Sequence, residues 1–177
     1  MKKEKWLIAA AAGAGVAALA YTLLSKDDIP KGAQSVQPFN KNLYMGKWNE
    51  VARLPNRIEK NLIHITEDYS LNEDGTIKVI TKGYNTESNK WIETFGKIKF
   101  AGAEYVGMLK VSYFGPFYAA YNILDLDPDY KYALVSSNNL DYLWVLSREA
   151  DVPQHIRTQF LDTASKIGFD IGKLEWV

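Results

Sequence analysis

The 177 residues hold two histidines and no cysteine, and those two counts remove most covalent chemistry. Without a thiol there is no disulfide, no thiolate nucleophile and no Cys-ligated metal. A Ser-His-Asp site would need His64 or His155 beside a nucleophile in a pocket. No Gly-x-Ser-x-Gly elbow is present, and His155 falls on the solvent face of a helical segment. Asp125-Leu126-Asp127-Pro128-Asp129 has the outline of a calcium loop, but an EF-hand needs Gly at its sixth position and Glu at its twelfth. This chain has Tyr130 and Ser136 there. Phosphate-cradling glycine loops and zinc-ligand spacings are missing as well. The sequence therefore assigns no catalytic residue, no metal and no cofactor. Glu67 is the acid that a catalytic alternative would have to use.

Aromatic side chains are the more abundant resource: 11 Tyr, 7 Phe and 5 Trp. Tyr and Trp have apolar bodies and polar tips, so they suit a pocket that is partly wet as well as a packed core. Formal net charge is zero. Residues 33–177 hold 16 basic and 18 acidic residues, and along the sequence no basic cluster is interleaved with aromatics. A nucleic-acid partner is not expected.

Strand signals follow one another at short spacing. The first runs from Gly46 through Trp48, where Trp48, Glu50 and Ala52 alternate onto one face and Val51 onto the other. It ends at Pro55-Asn56. Further strands are expected at residues 62–71, 76–84, 91–100, 105–114, 117–126, 131–136 and 142–147. Turn sequences such as Asn72-Glu73-Asp74-Gly75 and Gly115-Pro116 separate them. The period then changes. Ile156, Phe160, Ala164 and Ile167 recur at helical spacing, with Asp151 and Pro153 at the start and Gly168 at the end. Residues 169–177 read as a short closing strand.

The first 24 residues differ from the rest. Lys2, Lys3 and Lys5 precede an apolar run from Trp6 to Leu24, which is a signal for export or membrane insertion and about long enough to cross a bilayer. Two readings stay open. Cleavage after Ala18-Leu19-Ala20 would release a soluble protein. Retention would leave a signal anchor holding the domain outside the membrane. Residues 25–35 read as a linker and residues 36–177 as the folded domain. The expected location is the periplasm or cell envelope.

Three segments carry a family resemblance. Residues 44–57, with Gly46 and Trp48, resemble the opening strand of a lipocalin in its bacterial form. Asp129, Tyr130 and Ala133 resemble the second motif of that family, without the Thr-Asp-Tyr form of many animal members. Leu143-Trp144-Val145-Leu146-Ser147-Arg148 resembles the third. Phe114-Gly115-Pro116-Phe117-Tyr118 and Asp141-Tyr142-Leu143-Trp144 look characteristic of the bacterial branch. The resemblance implies an all-β fold: an eight-stranded up-and-down antiparallel lipocalin (calycin) barrel, a C-terminal α-helix and a short closing strand. It also implies that Trp48 plugs the closed end with Arg148 lying across its indole, a cation–π contact. Many bacterial lipocalins are lipoproteins acylated on a Cys. This chain has none, so it is not expected to be one.

Aligning the turns to the family pattern sets which residues face the interior. Ile65, Glu67 and Tyr69 should do so from the second strand, and Ile77, Val79 and Thr81 from the third. Val111 and Tyr113 follow from the fifth, Ala119, Tyr121 and Ile123 from the sixth, and Tyr142 and Trp144 from the eighth. Such a lining suits a long acyl chain with a polar head near the mouth, that is, a fatty acid or lysophospholipid. The expected function is binding, storage or transport of such lipids, without enzymatic turnover. The alternatives are a lipid- or isoprenoid-modifying enzyme on the same scaffold, and a filled barrel serving as an envelope interaction module.

Overall fold

A computed structural model describes residues 28–57 and 59–177. The expected signal peptide or anchor at residues 1–24 lies outside the described residues. Eight antiparallel strands run β1 Gly46–Arg53, β2 Leu62–Leu71, β3 Ile77–Asn85, β4 Lys90–Phe100, β5 Met108–Phe114, β6 Phe117–Leu126, β7 Tyr132–Ser136 and β8 Leu143–Ser147. A single turn of helix, α1 Lys41–Tyr44, precedes them; α2 Gln154–Ile167 and a two-residue strand, β9 Glu175–Trp176, follow. Each strand pairs with its neighbours in sequence, and β1 pairs with both β2 and β8, which closes the sheet into a barrel. Closure removes the free edges that an open sheet of this length would expose.

One end of the barrel is sealed by side chains. Trp48 is fully buried there, and its indole N–H donates to the carbonyl of Tyr44 at 2.9 Å. The Arg148 guanidinium lies 4.2 Å from the Trp48 ring centroid. Its N–H groups donate to the carbonyls of Tyr130 at 2.7 Å, Met45 at 2.8 Å and Leu43 at 2.9 Å. One planar cation thus ties two separate backbone segments, residues 43–45 and Tyr130, to the floor through three carbonyls, a role that needs the fork geometry of arginine. Gly46 has φ of 93°, and a Cβ there would lie 3.2 Å from an Arg148 nitrogen. The small residue two positions before Trp48 is therefore required by both backbone and space.

Several boundaries differ from the sequence expectation, each for a local reason. β5 starts at Met108 rather than at residue 105 because residues 36–39 take up the preceding backbone. Phe39 N–H donates to Tyr105 O at 2.7 Å, and Gly107 N–H to Val36 O at 2.9 Å. The stretch read as a linker is likewise held from residue 28 onward: Asn122 Nδ2 donates to Asp28 O at 2.8 Å, and Ile29 and Ala33 pack on the outer wall. The closing strand is confined to residues 175–176, because a 3-10 turn, Ile171–Lys173, intervenes.

α2 lies on the outside of the barrel. Its buried residues Ile156, Phe160 and Ala164 meet Leu124, Leu134, Leu143 and Val145, which burial of apolar surface stabilises. Gly168, with φ of 110°, ends the helix by donating to Ala164 O and Ser165 O, a left-handed cap that favours glycine. Asp125 accepts from Gln159 and Thr163 of the helix, at 2.9 Å each. Asp127 accepts from the backbone N–H of Asp129 and Lys131. The acids of the apparent calcium loop thus serve as a helix clasp and a turn.

Arg148→Met keeps most of the side-chain bulk but loses the ring contact and strands three carbonyls. It should lower the unfolding free energy in urea by about 2–3 kcal/mol. Arg148→Lys should recover only part of that, since an ammonium cannot reach all three acceptors.

Candidate functional site

The interior divides into a floor, an aliphatic wall and a polar mouth. Ile77, Val79, Ile98, Leu109, Val111 and Ile123 are all buried in one cluster above Trp48 and Tyr44. They come from the floor-side halves of β3, β4, β5 and β6, where period-two alternation turns every second residue inward. Ala119 is buried in the same cluster nearer the mouth. Gly96 also faces in: a Cβ there would lie 2.7 Å from a Val79 methyl and 3.0 Å from the Tyr113 ring.

Every residue expected from the sequence to line the interior is buried or half-buried. Tyr69 shares hydrogen bonds with Tyr121 at 2.9 Å and donates a short one to Glu67. Tyr121 also bonds the hydroxyl of Tyr44 at 2.7 Å. Thr81 and Tyr113 are joined at 2.6 Å. Tyr142 stacks on Trp144, with ring centroids 5.9 Å apart. Ile65 packs with Leu62 and Ile92. Burial pushes the hydroxyls of Tyr44, Tyr69 and Tyr121 above the ordinary phenol value. They therefore stay protonated at neutral pH and act as hydrogen-bond donors, not as bases. His64 and His155 are both exposed.

The expectation that Ala52 shares a face with Trp48 and Glu50 is corrected. The register between β1 and β8 shifts between Glu50 and Ala52. This bulge turns Ala52 outward, against the α2 side, and brings Arg53 inward opposite Trp144. A one-residue insertion is enough to exchange the faces. Arg53 is then buried and ion-paired to Glu50 at 2.7 Å. It also donates to the carbonyls of Glu59 at 3.1 Å and Leu62 at 2.8 Å.

Glu59 completes the mouth from the loop between β1 and β2. It is fully buried and accepts from the Trp144 indole at 3.1 Å and from Asn56 at 2.6 Å. One oxygen of Glu59 and one of Glu50 have no hydrogen-bond partner among the described residues. Burial, aided by Glu59, raises the Glu50 carboxyl well above its ordinary value, outweighing the nearby Arg53. Burial likewise raises Glu59. Arg53 is the only buried Lys or Arg among the described residues.

Glu50 was legible in the alternation from Trp48, but Arg53 was hidden by the bulge and Glu59 by its loop. Ile98 and Leu109 were missed although the alternation carries them. In β4 the outward positions hold Trp91 and Phe95, which obscures which face is apolar. A separate open groove of about 950 Å³ is lined by residues 36–42 together with Glu104, Tyr105 and Tyr130. It lies outside the sealed end, not in the interior.

Residues 40–177 match the lipocalin-like domain family. The chain is 41% identical over 164 residues to the outer membrane lipoprotein Blc of Escherichia coli (strain K12), covering 93% of each chain. It is 45% identical over 148 residues to the Blc lipoprotein of Citrobacter freundii, covering 84% of each. Temperature-induced lipocalin-1 of Arabidopsis thaliana is 33% identical over 157 residues, 81% of each. Among solved structures, lobster apocrustacyanin A1 superposes with a TM-score of 0.66 at 19% identity, over 87% of this chain and 92% of that one. The cockroach allergen Per a 4 does so with a TM-score of 0.68 at 18% identity, over 85% and 95%. These last two show the fold.

The raised carboxyls give the protein a pH signature. A carboxyl with a higher pKa folded than unfolded binds its proton more tightly in the folded state. Stability is then greatest at acid pH and falls as pH rises from the ordinary glutamate value, about 4.3, through the raised one. The slope approaches about 1.4 kcal/mol per pH unit for each such group. Glu59→Gln should flatten this fall, gaining stability over the wild type at pH 8 and not at pH 4, as read from urea melts at both.

Proposed function

Because the chain belongs to the lipocalin family, whose proteins bind small hydrophobic ligands, we propose that it holds a single-chain lipid, a fatty acid or lysophospholipid, in the cell envelope. One observation carries the reading: the aliphatic wall lies deep in the barrel, where the one carboxyl, Glu67, is bonded by Tyr69, while Glu50, Arg53, Asn56 and Glu59 gather toward the mouth. That polarity matches an acyl chain inserted tail first. Each buried CH₂ contributes ~0.8 kcal/mol. Burial of about ten would contribute roughly 8 kcal/mol, less the cost of immobilising the chain. Tail burial alone thus sets micromolar as the tightest affinity, and contacts of the head group at the mouth have to offset the immobilisation cost.

Members of this family are typically binding proteins and not enzymes, which fits an interior whose phenols stay protonated. The envelope location rests on the Blc relatives, which are named as outer membrane lipoproteins. The 177 residues contain no Cys, so they offer no thiol for a Cys-linked acyl anchor. We assign tethering or export to the apolar run at residues 6–24 instead.

Organic extraction of the purified protein, followed by mass spectrometry, should yield an acyl lipid in near-stoichiometric amount. A titrated fatty acid should quench tryptophan fluorescence saturably, and Trp144→Phe should reduce the amplitude. No extractable lipid together with no saturable quenching would leave a filled barrel as the better account.

A further inference from the structure

The outer wall of the barrel is covered by α2 over β6 to β8, but among the described residues no element covers β3 and β4. Alternation leaves Trp91, Glu93, Phe95, Lys97 and Lys99 outward on β4. Trp91 is 56% exposed and Phe95 57%, large values for aromatic side chains on a strand. On β3 the outward residues include Lys78 and Lys82. Lys78 Nζ sits 5.6 Å from the Phe95 ring centroid and Lys82 Nζ 5.4 Å from that of Trp91. Lys99 Nζ lies 4.1 Å from the Tyr118 ring on β6.

The face is basic as well as aromatic. Its acid is Glu93, directly opposite Lys82, while Asp74 in the adjoining turn engages Lys97 at 2.7 Å. Lys78 and Lys97 are cross-strand partners, a like-charge pairing that costs stability. The same wall runs to the mouth. There Phe114 and Phe117, 45% and 41% exposed, stack with centroids 6.4 Å apart. Sequence reading finds no basic-aromatic cluster because these residues are scattered over forty positions; the sheet assembles them.

We propose that this wall docks the barrel on an anionic phospholipid bilayer, with the Phe114–Phe117 rim against the headgroups so that the mouth faces the lipid surface. The chemistry favours a bilayer in two ways. Trp and Tyr prefer the boundary between headgroup and acyl chain, and lysines near an anionic leaflet are attracted by its surface potential. Continuity with the mouth supplies the third argument, since a lipid drawn from the bilayer has the shortest path where the rim is apolar.

The test uses the full chain reconstituted in vesicles. The fluorescence difference between wild type and Trp91→Phe isolates Trp91 from the other tryptophans. Brominated phosphatidylglycerol should remove most of that difference signal, and brominated phosphatidylcholine should leave most of it. The triple variant K78E/K82E/K99E should lose the quenching while keeping its circular dichroism and its fatty-acid binding in solution, which separates failure of docking from failure of the lipid-binding reading. Raising salt should also weaken the quenching. A Trp91 signal untouched by phosphatidylglycerol, quenched equally in both lipids, or unaffected by the triple variant would overturn the proposal. So would quenching by an oligonucleotide where anionic vesicles give none.

Discussion

β1 has to serve two neighbours at once, and the barrel depends on how it does so. Its first half, residues 46–49, pairs with β2, and its second half with β8 on one edge and the short β9 on the other. A strand that turns between two partners concentrates twist, and the bulge at Val51 absorbs it. The consequence reaches well past local geometry. Before the bulge, Trp48 faces in and seals the floor. After it, Ala52 faces the helix side and Arg53 the interior. One extra residue thereby supplies both the apolar seat for α2 and the buried cation of the mouth.

The interior that results balances opposing demands. Its deep wall is aliphatic, which favours an apolar ligand or simple packing. The interior also holds three buried carboxyl side chains, Glu50 and Glu59 toward the mouth and Glu67 opposite Trp48, against one arginine. Burying unpaired charge is expensive, and the raised carboxyl pKa values show where that cost falls. Unsatisfied oxygens on Glu50 and Glu59 mark the mouth as a place with hydrogen-bonding capacity to spare. A core optimised only for stability would have little reason to keep them.

The outside of the barrel is as divided as the inside. Over β6 to β8, α2 buries an apolar surface and Asp125 clasps the helix. Over β3 and β4 no described element covers the surface, which is decorated with lysines and rings. Both walls belong to one closed sheet, so the difference is written in outward-facing residues alone. Outward residues are aliphatic beneath the helix and lysine-rich on β3 and β4.

Period-two alternation, turn residues and the helical repeat from Ile156 to Ile167 are local signals. They set the strand count, the hairpin order and the terminal helix, and they placed Trp48, Tyr69, Val111 and Tyr121 on the buried side, because each depends on spacing within one element. Arg53 and Glu59 were not legible that way. A bulge is a response to pairing with two partners, and a loop carboxyl reaches the mouth only because Trp144 and Asn56 hold it there. The start of β5 was likewise decided by residues 36–39, distant in sequence, taking its backbone hydrogen bonds. The basic aromatic wall exists only once β3 to β6 lie in one sheet. Spacing along a chain fixes which residues share a face, but which faces meet, and what gathers where they meet, is settled by closure of the sheet.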